Sequence, residues 1–173
     1  MIVILIGYMA SGKSTLGRML ADKLNYEFLD LDEFIEEKEN TSIASLFKTR
    51  GEIYFRKAET KYLKELLNSN KNLILSLGGG TPCYGNNMQD ILEAQNTKSV
   101  YLKASIPTLV SRLKTEKGKR PLVAHIESDE ELTEFIGKHL FERSTFYNQS
   151  GIVLSTDNKP VGEILEELNE ALF

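Results

Sequence analysis

Along this chain short, nearly continuous apolar runs alternate with stretches whose apolar residues recur at a period of about 3.6. Met1 to Ile6 is an unbroken apolar run that stops at Gly7, as a strand buried on both faces does. Behind it, Leu16, Met19, Leu20 and Leu24 recur at helical spacing with Arg18, Asp22 and Lys23 between them, which predicts an amphipathic helix. Residues 27–31 predict a second strand that ends in acidic residues. Helical patterns follow over 34–38 and 43–49, and again from Gly51 to about Leu67, where Phe55, Ala58, Tyr62 and Leu66 share a face. The run 73–77, bounded by Asn72 and by glycines, predicts another doubly buried strand. Residues 86–95 predict a helix, 98–103 a strand and 106–114 a helix.

From Thr115 to His125 the pattern fails in a charged, glycine-containing stretch closed by Pro121, the best candidate for a mobile loop. Ser128 and Glu131 form a capping box that opens a helix carrying Leu132, Phe135, Ile136 and Leu140. A last strand at 152–155 and a last helix at 161–172 complete the alternation. Strands separated by helices imply right-handed crossovers, hence an α/β fold: a five-stranded parallel sheet in a three-layer α/β/α arrangement. Ligands of such sheets gather outside the carboxyl ends of the strands, so the loops after Ile6, Leu29, Leu77 and Ser155 are the ones to inspect.

The totals narrow the function classes. A chain of 173 residues suits one domain spanning 1–173. Twenty-one basic against twenty-five acidic residues leave a formal charge of -4, which argues against a general nucleic-acid or membrane binder. The first apolar run is too short for a membrane span and has no basic flank, so no leader or anchor is expected and a cytoplasmic location is. Cys83 is the one cysteine, which excludes an internal disulfide and suits a reducing compartment; beside Pro82 it reads as a packing residue.

The chemistry begins where the first strand ends. Gly7-Tyr8-Met9-Ala10-Ser11-Gly12-Lys13-Ser14 has the G-x-x-x-x-G-K-S spacing of a phosphate-binding loop, with strand before and helix after. Glycines let backbone N-H groups close on phosphate oxygens, the helix points its positive end at the anion, Lys13 reaches the β and γ phosphates, and Ser14 can hold Mg²⁺. Asp30 and Asp32 follow the second strand; facing a triphosphate they could hold Mg²⁺ through water and take a proton from a hydroxyl substrate. The same spacing suits Asp32 as the N-cap of a helix beginning at Glu33. Arg56, with Glu52 four residues before and Glu59 three after, reads from spacing alone as a surface ion pair. Gly78, Gly79 and Gly80 end a buried strand, where three consecutive glycines point to a close approach by a ligand. Arg120 on the loop could stabilise charge on a transferred phosphoryl group or be part of a solvated basic run, and Arg143 could serve the end of its helix. His125 and His139 are isolated and carry no assigned role.

Taken together these segments resemble the shikimate kinases, small P-loop kinases of the nucleoside monophosphate kinase-like fold with a mobile lid. The resemblance runs nearly end to end: the P-loop through Thr15, Asp30-Leu31-Asp32, Gly51-Glu52-Ile53-Tyr54-Phe55-Arg56-Lys57-Ala58-Glu59, Ser76-Leu77-Gly78-Gly79-Gly80 and Arg120-Pro121-Leu122. It implies transfer of the γ-phosphoryl group of ATP to the 3-hydroxyl of shikimate, in the aromatic amino-acid pathway, with Mg²⁺ as cofactor and a monomer as the unit. It implies a substrate-binding region at about 32–60 and a lid at about 113–125. It further implies nucleotide contacts from Ala10, Ser11, Gly12, Lys13, Ser14, Thr15, Arg112 and Arg120. Substrate contacts would come from Asp32, Arg56, Gly78, Gly79, Gly80 and Arg143, with Asp32 as the base and Glu59 orienting Arg56. Ser14 would bind Mg²⁺ directly, Asp30 and Ser76 through water, and Lys13, Asp32 and Arg120 would carry the catalysis. Where Thr145 stands, the family usually has proline. Two rivals stand beside this reading. One is a kinase for another small hydroxyl compound such as gluconate, or for a nucleoside monophosphate; the other is a GTP-binding switch, against which the absence of Asn-Lys-x-Asp counts.

Overall fold

The computed structural model describes residues 1–69, 71–116 and 123–173. Five strands form one parallel sheet: β1 (Ile2–Ile6), β2 (Glu27–Asp30), β3 (Leu73–Ser76), β4 (Thr97–Lys103) and β5 (Ile152–Ser155). Their spatial order is β2-β3-β1-β4-β5, which puts the phosphate-loop strand at the centre. The helices are α1 (Lys13–Leu24), α2 (Leu31–Glu39), α3 (Ile43–Leu67), α4 (Asn87–Glu93), α5 (Ile106–Glu116), α6 (Asp129–Tyr147) and α7 (Val161–Leu172). One short 3-10 turn, Thr81–Cys83, was not expected from the pattern.

The period of two in β1 decides the layers. Ile2, Ile4 and Ile6 face a core with Leu31, Ile35, Leu63, Leu109 and Ile136, contributed by α2, α3, α5 and α6. Val3 and Leu5 face the other side, against Leu16 and Leu20 of α1 and Ile164 and Leu168 of α7. The three layers expected from the alternation are therefore present. Gly17 sets how closely α1 lies on the sheet, since a Cβ there would stand 2.5 Å from the Phe28 ring.

Most boundaries fall within two residues of the pattern. The break expected between 49 and 51 is a kink inside α3, where Gly51 takes φ 82°, a left-handed value that glycine adopts readily. The capping box of α6 is seen in its forward half, Glu131 N-H donating to Ser128 Oγ at 3.1 Å. At α2 the cap differs from the alternative weighed for Asp32. Asp30 is the N-cap, its Oδ1 accepting from the Asp32 N-H at 3.0 Å, so Asp32 lies inside the first turn with its carboxylate left for other work. The loop after α5 retains one described end, with Val123 and Ile126 buried in the core. Among the described residues, no helix is long and apolar enough to cross a membrane.

Candidate active site

The carboxyl ends of β1, β2 and β3 open on one cavity of about 650 Å³. Strand register explains who meets there: Asp30 pairs with Ser76 across β2 and β3, and Ser76 pairs with Leu5 of β1, two residues before the phosphate loop begins its turn at Gly7.

The loop itself is shaped by contact rather than by flexibility. At Gly7 a Cβ would stand 2.7 Å from Ser11 Oγ and 2.8 Å from the Leu102 carbonyl, so a side chain has no room. Gly12 takes φ 100° as the N-cap of α1. That helix has no side-chain cap and no acidic residue in its first turn, whereas α2, α3 and α6 are capped by Asp30, Ser42 and Ser128. Its first N-H groups are left without a side-chain acceptor, the condition for binding an anion. Lys13 Nζ donates to the carbonyls of Gly7 and Tyr8, both at 2.9 Å, and so spans the loop it will serve.

Opposite the loop, the three glycines each receive a different functional side chain. A Cβ on Gly78 would stand 3.2 Å from Asp32 Oδ1, on Gly79 3.2 Å from Arg143 Nη1, and on Gly80 2.8 Å from Arg56 Nη2. Three residues from α2, α3 and α6 thus converge on one turn of backbone, and glycine is what lets them.

Both arginines are held from behind. Arg56 donates to Glu59 Oε2 at 2.8 Å, and Glu59, only 1% exposed, takes Thr81 Oγ1-H on its other oxygen at 2.6 Å. The exposed Glu52 lies 3.8 Å from Arg56 Nε. The ion pair expected from spacing is therefore real, but its Glu59 half is buried at the cavity, and only its Glu52 half belongs to the surface. Arg143 lies over the Tyr8 ring at 5.6 Å, one turn inside α6 rather than at its end. Tyr147 donates to the Gly79 carbonyl at 2.5 Å.

Burial pushes the Asp32 carboxyl up to about 7, helped by the negative charges of Asp30 and Glu59 and opposed by Lys13 and Arg56. A carboxyl poised near neutrality in a cleft is suited to accept a proton. Burial, and then Arg143, hold the His139 imidazole below its ordinary value, so it is neutral at physiological pH. Cys83 has its thiol pushed up to about 11 by burial, in keeping with a packing role.

On the far side of the P-loop, Arg112 donates to the carbonyls of Ala10 at 3.1 Å and Thr156 at 3.2 Å, tying the loop to the chain after β5. Ser11 Oγ and Ser76 Oγ are buried without a protein hydrogen-bond partner. Among the described residues, then, every expected site residue lines this cavity or its walls. Arg120, with 117–122 of the expected lid, lies outside the described residues. Phe47, which also lines the cavity and packs on Phe55 with ring centroids 4.7 Å apart, was not expected, nor were Thr81, Tyr8 and His139. Of the residues on α6, His139 and Tyr147 had a signal, four residues before and after Arg143 and so on its face.

Comparison with known proteins decides what the arrangement belongs to. The family model for shikimate kinase matches residues 9–173. The chain belongs to the shikimate kinase family. The shikimate kinase of Flavobacterium johnsoniae is 47% identical over 170 residues, covering 98% of each chain. Among solved structures, a shikimate kinase from Bacteroides thetaiotaomicron superposes with a TM-score of 0.89 at 35% identity, over 99% of this chain and 97% of that one. A shikimate kinase from Acinetobacter baumannii in complex with shikimate superposes with a TM-score of 0.84 at 30% identity, over 99% and 92%. The activity is accordingly that of a kinase, transferring phosphate from ATP to a hydroxyl of shikimate. The gluconate and switch alternatives give way to this membership.

Proposed function

We propose that this cavity transfers the γ-phosphoryl group of Mg-ATP to the 3-hydroxyl of shikimate, with the roles of the residues as follows. The nucleotide lies along the P-loop from Ala10 to Thr15, its phosphates on the uncapped N-terminus of α1 and its γ-phosphate met by Lys13. Arg112, already bridging Ala10 and Thr156, borders the adenine side, and Arg120 on the 113–125 lid acts on the phosphates. Shikimate lies across the three glycines. Arg56 and Arg143 take its carboxylate, since paired guanidinium contacts fix orientation as well as charge. Asp32 accepts the hydroxyl proton as that oxygen attacks phosphorus, and Gly79 offers its N-H to the substrate. Positioning and charge stabilisation are what phosphoryl transfer asks of a protein.

The residues fit a magnesium ion. Ser76 Oγ is buried and unpartnered beside Asp30, its neighbour across the strands, and Ser14 opens onto the same cavity. Among the described residues no cluster of three or more His, Cys, Asp or Glu side chains could hold a metal, as suits an ion held mainly by phosphate and water. Ser14 would hold Mg²⁺ directly, with Asp30 and Ser76 acting through water. When bound, the ion neutralises charge on the phosphate oxygens.

We take a monomer as the working unit, 1–173 as a single kinase domain and about 32–60 as its substrate-binding region. We also place it in the cytoplasm. The observation that carries the reading is the convergence of Asp32, Arg143 and Arg56 on Gly78, Gly79 and Gly80, facing the P-loop. The test is ADP release from ATP with shikimate, with gluconate and with no acceptor, each with Mg²⁺ and with chelator. Stimulation by shikimate alone, abolished by chelator, is expected; equal stimulation by gluconate would overturn the substrate assignment.

A further inference from the structure

One face of α6 carries Phe135, His139, Arg143 and Tyr147, each four residues from the next and therefore stacked along the helix. Three of them bear on the site. Tyr147 grips the Gly79 carbonyl at 2.5 Å, and Arg143 approaches the same glycine. His139 shares a 2.9 Å hydrogen bond with the hydroxyl of Tyr8, the second residue of the P-loop, and Phe135 packs on its imidazole with ring centroids 4.4 Å apart. Tyr8 is 2% exposed and its ring underlies the Arg143 guanidinium.

The arrangement closes on itself. His139 fixes the hydroxyl end of Tyr8, the Tyr8 ring supports Arg143, and Arg143 and His139 are one helical turn apart. The phosphate loop is thereby joined to the acid-binding arginine by a side chain that touches neither phosphate nor acid in the scheme above. A neutral imidazole is the right partner for such a task, since it fixes the phenol without competing with Arg143 for a carboxylate.

We propose that Tyr8 and His139 are a positioning pair that seats Arg143 for the carboxylate of the acid substrate. The inference rests on the reading of Arg143 as a carboxylate ligand. Losing the pair leaves the guanidinium present but unsupported, so it acts on the affinity for the acid and not for the nucleotide.

The experiment is steady-state kinetics on Tyr8→Phe, His139→Leu, His139→Asn and Arg143→Ala, with shikimate and ATP varied in turn. Tyr8→Phe removes a single oxygen and keeps the packed ring, so folding is preserved. Tyr8→Phe and His139→Leu are each expected to raise the KM for shikimate about tenfold, about 1.4 kcal/mol, with the KM for ATP within about twofold. The double variant is expected to be no worse than either single one. His139→Asn, which can keep a partner near the Nδ1 position, is expected to restore most of the loss; a general packing defect would not be rescued this way. If Arg143→Ala leaves the KM for shikimate unchanged, the reading of Arg143 itself falls and the pair with it. If Arg143→Ala raises it while Tyr8→Phe and His139→Leu leave it within twofold, or raise both KM values equally, the pair alone is overturned.

Discussion

Arg56 lies so close to Gly80 that a Cβ on the glycine would stand 2.8 Å from its Nη2 atom. The neighbour is the tip of a flexible side chain, and Gly80 itself has an ordinary φ of -88°. Gly80→Ala should therefore fold normally and lose function by pushing the guanidinium aside. We expect the KM for shikimate to rise about tenfold with the KM for ATP nearly unchanged and a melting temperature within about 2 °C. Equal effects on both substrates would mean that Arg56 does not serve the acid.

Asp32 sets the pH dependence. Its carboxyl is raised to about 7, well above the value of an unfolded chain, chiefly by burial. The group is then protonated in the folded state and ionised in the unfolded state between about pH 4 and 7, so its contribution to stability is greatest at low pH and lost as pH rises through that window. Activity runs the other way, because proton acceptance needs the ionised form. At pH 8, without substrates, Asp32→Asn should raise the melting temperature by up to about 8–16 °C, the full effect of a carboxyl raised from about 4 to about 7, with no gain near pH 4. In the parent, kcat/KM should fall about tenfold per unit below pH 7, and in Asp32→Asn turnover should be lost while ATP still binds. A variant with full activity would remove Asp32 as the base.

Lys13 spans the P-loop through the Gly7 and Tyr8 carbonyls. In the proposed scheme the same amine meets the γ-phosphate, so Lys13→Ala would remove both a clasp and a counter-charge. We expect kcat to fall by at least about 100-fold, the scale of losing one preorganised donor to a developing charge. Stability should fall by about 1–3 kcal/mol, since an ammonium donates a charge-assisted bond to each carbonyl. Retained turnover would refute the assignment.

What the sequence made legible, and what it did not, follows a physical line. Strands were readable because both faces of the sheet are covered, so Ile2–Ile6 and residues 73–75 are apolar throughout. The P-loop was readable because backbone geometry dictates its glycines. Arg56 was not, because Glu52 and Glu59 stand at equivalent helical spacings and nothing local tells which side of α3 meets the sheet; the structure exposes one and buries the other. The roles of Asp30 and Asp32 turned on a two-residue difference in where α2 begins, below what periodicity resolves. The role of His139 was opaque for a different reason: its partner is 131 residues away.

Thr81 gives the sharpest test of how Arg56 is held. Its hydroxyl donates to Glu59 Oε1 at 2.6 Å while Arg56 donates to Oε2 at 2.8 Å, and both Thr81 and Glu59 are buried. Thr81→Val keeps the volume and deletes only the donor, leaving a buried carboxylate oxygen without its partner, at a cost of about 1–3 kcal/mol. The melting temperature should drop by roughly 2–10 °C. The carboxylate is then free to rotate, so Arg56 loses its fixed orientation and the KM for shikimate should rise several-fold, with ATP little affected. Thr81→Ser restores the hydroxyl and should recover most of both effects. If Thr81→Val loses stability but keeps its KM for shikimate, Arg56 is held by Glu59 alone, and the threonine serves only the fold.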